Sequence, residues 1–136
     1  MIIAHPATTL LRETAERQQA FDQLLALWHQ EYRAMGGTIF CGKGCQSCCM
    51  LAVNSTLSEA MLLLTQLDTT QRALVAERAL KARELAMACH SLKEWLKCYR
   101  EEMGGCPFLD EAASCSVYPV RPLSCRSLLA TREASW

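Results

Sequence analysis

The chain has 136 residues, 51% of them hydrophobic, and its 14 basic and 14 acidic side chains cancel. That length is near the size of one domain, the apolar share suffices for a core without disulfides, and the balanced charge argues against a phosphate-binding surface, so no nucleic-acid partner is expected. No apolar run approaches the ~18 residues that cross a bilayer, and Met1 to Arg12 lack a basic leader before a long apolar block, so the expectation is a cytoplasmic protein without a membrane partner. In that compartment thiols stay reduced. Nine cysteines, an odd number, then point to metal or redox work rather than to a disulfide frame.

Residues 1 to 7 read as a loose start, with Pro6 as a helix boundary. The spacing predicts a helix from about Thr8 to Met35, with Phe21, Leu25, Trp28, Tyr32 and Met35 on one face at steps of four and three. That stripe is read as core packing, and Gly36-Gly37 as the stop. Thr56-Leu57-Ser58-Glu59 has the capping-box form and predicts a buried helix through Met61 to Leu67. After a short break at Asp68-Thr69-Thr70, one long helix, kinked along its length, is expected from about Gln71 to Met103. Leu85, Cys89, Leu92, Leu96, Tyr99 and Met103 would form its stripe. Gly104-Gly105 should end it. Asp110 to Ser114 read as a turn, Pro119 and Pro122 forbid regular helix between Tyr118 and Pro122, and a last helical turn or two covers Ser124 to Glu133. No internal repeat stands out beyond the cysteine clusters.

The first cysteine set is Cys41-Gly42-Lys43-Gly44-Cys45-Gln46-Ser47-Cys48-Cys49; the second is Cys106, Cys115 and Cys125, about fifty-five residues downstream. Soft thiolates select zinc, copper(I) or iron–sulfur clusters, and a tetrahedral ion or a cluster takes four such ligands. Gly42 and Gly44 allow the backbone to turn between ligands. Cys45-x-x-Cys48 also fits a redox dithiol, but that motif expects a strand before it, and here a helix and Gly-Gly precede it. Seven clustered thiols exceed one four-ligand ion. Either several metals share bridging thiolates, or one four-cysteine site has spares beside it. Adjacent Cys48 and Cys49 should diverge, which favours the first option. Lys43, Arg121 and Arg126 are positioned in sequence to offset thiolate charge, with ordinary surface charge as the alternative for the two arginines. Cys89 reads as a small core residue and Cys98 as a candidate eighth ligand. His5 and His29 have no ligand context, and His90, beside Cys89 on a mostly polar face, reads as a solvated residue rather than a ligand. No thiol-hydrolase signature, phosphate loop or HExxH is present, so an enzyme is not expected.

Cys41-Gly-Lys-Gly-Cys45-Gln-Ser-Cys48-Cys49, Cys106-Pro-Phe-Leu109, Cys115-Ser-Val-Tyr118 and Arg121-Pro-Leu-Ser-Cys125-Arg126 together resemble the CxxCxxCC (YkgJ-type) family of zinc- or iron-chelating domains, found mainly in bacteria. The resemblance runs from about Phe40 to Arg126. It departs at Cys41, which three residues, not two, separate from Cys45. It implies a cysteine-rich site for zinc or iron, the iron either as an ion or in an iron–sulfur cluster.

Residues and resemblance together predict one mainly α-helical domain over 1–136, its motif region at 40–126, in which a cysteine-rich loop and an irregular C-terminal segment close around metal. The expected ligands are Cys45, Cys48, Cys49, Cys106, Cys115 and Cys125, with Cys41 behind them and Cys98 as the eighth. Three roles are open: a structural zinc site, an iron–sulfur protein in electron transfer or redox enzymology, or a module that hands zinc or iron to a partner. Neither the protein partner nor the oligomeric state is legible.

Overall fold

The computed structural model describes residues 6–42 and 45–132. Five α-helices carry the chain, with two 3-10 turns and, among the described residues, no strand. This is the mainly α-helical fold that the sequence predicts. The helices fall into two compact units. One comprises 1–42, 54–66 and 117–136; the other comprises 43–53 and 67–116.

The first unit is built on α1 (Pro6–Ala34), against which α2 (Leu57–Leu64) and α5 (Leu123–Ser127) pack. The buried positions of α1 are Thr14 and Gln18, with Phe21 and Leu25 half-buried at the same four-three spacing. The expected aromatic stripe is therefore only half right. Trp28 is 42% and Met35 78% exposed, and Trp28 stacks on Tyr32 with centroids 5.0 Å apart instead of entering a core. Length explains this: α1 has 29 residues and α2 eight, roughly 43 Å against 12 Å, so α2 covers only part of it. At the end of α1 the Gly36 N–H donates to the Arg33 carbonyl and the Gly37 N–H to the Tyr32 carbonyl, with Gly36 at φ 86°. This is the Schellman closure that Gly-Gly foretold.

Thr56 caps α2 as predicted: its Oγ1 accepts from the Glu59 N–H at 3.3 Å, and Glu59 Oε2 accepts from the Thr56 N–H at 2.9 Å. Glu59 does more than cap. It is 4% exposed, and its Oε1 accepts the Leu123 N–H at 2.7 Å, which ties the first turn of α5 to α2. Arg126, 3% exposed, completes the joint. It donates to the Asp22 carboxylate, to Gln18 Oε1 at 3.2 Å, to the Pro119 carbonyl at 2.7 Å and to the Arg121 carbonyl at 2.8 Å.

The second unit holds α3 (Thr69–Ala88) and α4 (Leu92–Met103), packed on each other. Asp68 caps α3 through the Gln71 N–H at 2.8 Å. The expected single helix is broken at Cys89–Ser91. Ser91 Oγ accepts the Glu94 N–H at 3.2 Å and starts a new helix, while Glu94 Oε2 takes the His90 N–H at 2.8 Å. Ser-x-x-Glu at 91–94 is the capping signal that was overlooked. Arg78 donates to the Gly105 carbonyl and Lys81 Nζ to the Glu102 carbonyl at 2.7 Å, so the two helices run antiparallel. The turn also dissolves the expected stripe: Met103 is buried, but Leu92 is 71% exposed.

Candidate metal centre

Two segments of the second unit bring thiols together. The first is the 3-10 turn Ser47–Met50, closed by the Cys49 N–H on the Gln46 carbonyl at 2.9 Å and the Leu51 N–H on the Cys48 carbonyl at 3.2 Å. Neighbouring side chains in such a turn diverge by roughly 120°. Cys48 and Cys49 are both half-buried, and the charge of Cys48 acts on Cys49. Cys45, just before the turn, donates its thiol to Ser47 Oγ at 3.6 Å.

The second segment starts where α4 stops. Gly104, at φ 65° and ψ −157°, takes a conformation open essentially to glycine alone and turns the chain out of the helix. Two residues later the Cys106 N–H donates to the Cys49 carbonyl at 2.8 Å, which fixes one segment on the other. Asp110 then folds the chain back. Its Oδ1 accepts the Ala112 and Ser114 N–H groups at 2.9 and 2.8 Å, and Ala113 lies at φ 55°. The Ser116 N–H reaches the Phe108 carbonyl at 2.8 Å, and an isolated antiparallel bridge pairs Leu109 with Cys115. Cys115 thereby returns to the neighbourhood of Cys106.

Cys48, Cys49, Cys106 and Cys115 are half-buried and lie within electrostatic range of one another. No disulfide joins any of the nine cysteines. Burial, followed by the charges of Cys48 and Cys106, pushes the Cys49 thiol up to about 12. Burial also raises Cys106, as do Cys115 and Cys48, against the pull of the Phe108 N–H and the Arg78 guanidinium. Thiols crowded this way keep their protons unless a cation replaces them. The donor set is all sulfur, which fits zinc or iron. The sulfurs are not yet converged: among the described residues no three His, Cys, Asp or Glu side chains stand in an arrangement that could hold an ion.

Cys41 and Cys125 belong to the first unit. There the Cys41 sulfur accepts the Ala130 N–H at 2.9 Å, beside a 2.8 Å bond from the Phe40 N–H to the Ala130 carbonyl, and Cys125 sits on α5. Cys98 is half-buried on α4, and Cys89 is half-buried rather than in a core. The two arginines expected beside thiolates are engaged otherwise. Arg126 answers Asp22, and the Arg121 guanidinium lies 3.9 Å above the Tyr118 ring. Lys43, Gly44, His5 and Glu133 lie outside the described residues. The cation that does act on the cluster is Arg78, which the sequence reading passed over. Its helical position carried no signal until α4 had folded back beside α3. No helix among the described residues is long and apolar enough to cross a membrane.

Comparison with known proteins agrees with this chemistry. The family model CxxCxxCC, described as "Putative zinc- or iron-chelating domain", matches residues 40–136. No curated protein and no solved structure matches the chain.

Proposed function

The chain belongs to the CxxCxxCC family, and from that premise we propose that it binds a structural zinc ion through Cys48, Cys49, Cys106 and Cys115. Cys45 flanks the set. The observation that carries the reading is the approach of the two cysteine-bearing segments, held by the bond from the Cys106 N–H to the Cys49 carbonyl. Two thiol pairs from distant segments match the way small zinc domains staple their chains. When bound, the ion would offset half of the charge of the four thiolates and cross-link 45–50 to 104–116. The residues supply the rest: the Phe108 N–H and Arg78 support the Cys106 sulfur, and Gly104 and Asp110 aim the second segment.

Elemental analysis and an ultraviolet–visible spectrum of protein purified without oxygen test this. The expected result is colourless protein with bound zinc, lowered by Ser at Cys49 or Cys106 and unchanged by Cys89→Ser. Brown protein whose absorption bleaches with dithionite would replace zinc by an iron–sulfur cluster on the same thiols. A second reading, delivery of the ion to a partner, draws on the half-exposed state of the four thiols. It predicts rapid exchange with a competing chelator, where a structural site exchanges slowly.

A further inference from the structure

Helix α1 is longer than the helices that cover it, and its outer face has an order of its own. The family match begins at residue 40, so all of α1 lies ahead of it. The side of α1 that packs in the first unit carries Thr14, Gln18, Phe21 and Leu25. About a third of a turn round the helix runs a second line, Arg17, Ala20, Leu24, Leu27, Glu31 and Ala34, at alternating steps of three and four. All six side chains are exposed. Among the described residues neither Arg17 nor Glu31 has an ion-pair partner. Such a line is the seam of a two-helix coiled coil. This one complements itself when read backwards. With a second copy set antiparallel and Leu24 against its Leu27, the centre becomes two leucine layers. Ala20 then falls opposite Glu31 of the second copy and Ala34 opposite Arg17, so small residues leave room for the long charged ones. Each Arg17 comes within one helical turn of the other copy's Glu31. On one flank Gln23 meets Gln30, two uncharged amides that can bond each other; on the other Phe21 meets Trp28, whose exposed ring gains cover. A parallel copy in register would instead set Arg17 on Arg17 and Glu31 on Glu31, like charge against like.

We infer that α1 is an interface between two copies of this chain, paired antiparallel about a two-fold axis at the Leu24–Leu27 layers. The Arg17–Glu31 contact then occurs twice, once at each end, and the exposed leucines leave water. Because α1 is already ordered by its packing in the first unit, pairing fixes little further backbone. The surface belongs to the first unit alone and does not depend on the zinc reading.

Analytical ultracentrifugation of zinc-loaded full-length protein over a concentration series tests this, with a phosphine reductant present so that no intermolecular disulfide contributes. The expected result is a mass that rises from one chain to two. Leu24→Glu, at an exposed position, should keep its circular dichroism and stay at one chain throughout. Arg17→Glu and Glu31→Arg should each lose the dimer when studied alone, because both end contacts then hold like charges. An equimolar mixture of those two variants should recover it, because opposite charges face each other again at both ends. Wild-type protein that remains one chain at every concentration would overturn the inference. So would a dimer that a folded Leu24→Glu leaves intact, or a mixture of the charge variants no more associated than its components.

Discussion

Arg126 shows how one side chain can be assigned a wrong role by sequence position and a better one by its partners. Next to Cys125 it reads as a thiolate counter-ion. In the fold it is 3% exposed and gives its donors to Asp22, Gln18, Pro119 and Arg121. Nothing local in the sequence marks the side-chain partners, because Asp22 and Gln18 lie about a hundred residues away. The energies should be unequal at the two ends of the ion pair. Asp22 keeps 44% of its side chain exposed, so water screens its charge, and Asp22→Asn should cost about 1 kcal/mol or less in urea unfolding. Arg126→Ala leaves buried carbonyls and Gln18 without a donor and should cost about 3 kcal/mol or more. Equal losses would mean that the charge pair, not the carbonyl bonds, holds α5.

Glu59 makes the same point with a titration. Burial raises its carboxyl, but hydrogen bonds from the Leu123 and Thr56 N–H groups outweigh burial and leave it below the usual range. A carboxyl held lower in the folded state than in the unfolded one binds fewer protons there. Its stabilisation is complete above the ordinary Glu value, about 4.3, and fades as pH falls through the folded value. The urea midpoint should therefore drop more steeply with acid in the wild type than in Glu59→Gln. Parallel pH profiles would show that the Leu123 bond contributes nothing measurable.

At the scale of elements, what could be read locally was read correctly. Gly36-Gly37, the Thr56 capping box and the Gly104-Gly105 stop depend on neighbours within a turn, and all three occur where the sequence places them. The errors concern what lies between. The stripe from Leu85 to Met103 has good helical spacing, but spacing cannot tell one helix from two that meet in register, and Ser91 decides the matter. Likewise the aromatic end of α1 looks like a core face and is not, because the helices that cover α1 are shorter than it is. The cysteine spacing identified which segments carry thiols. It did not reveal that α4 folds back on α3 and that the Arg78 charge then acts on Cys106. The element on which the candidate site most depends is the exit from α4. With φ 65° and ψ −157°, Gly104 tolerates no Cβ without strain, so Gly104→Ala should cost about 1–3 kcal/mol. It should also swing Cys106 off Cys49, so zinc bound per chain falls even at temperatures where the variant is folded. Full zinc content in a folded Gly104→Ala protein would show that this turn does not aim the thiol.

For the whole chain the question is what each unit has to hold it together. Among the described residues the buried apolar side chains are Leu62, Leu63, Val117 and Pro122 in the first unit, and only Leu67 and Met103 in the second. The first unit adds a buried polar network that spans α1, α2 and α5. The second has about sixty residues and, among those described, no comparable buried network. A core that small seldom yields more than about 3–5 kcal/mol unaided, and small domains of this size are commonly stapled by metal. Metal binding then becomes folding free energy, because the unfolded chain offers no preformed site. Removing zinc should therefore act unevenly. Amide hydrogen exchange followed by mass spectrometry, with and without a chelator, should show large losses of protection across 45–53 and 67–116. Peptides from α1 and α2 should change far less. Adding zinc back should restore the lost protection, and more completely as pH rises, since each thiol must release a proton to bind. Equal loss in both units would mean that they unfold as one cooperative body, and unchanged exchange throughout would remove zinc from the stability of the fold.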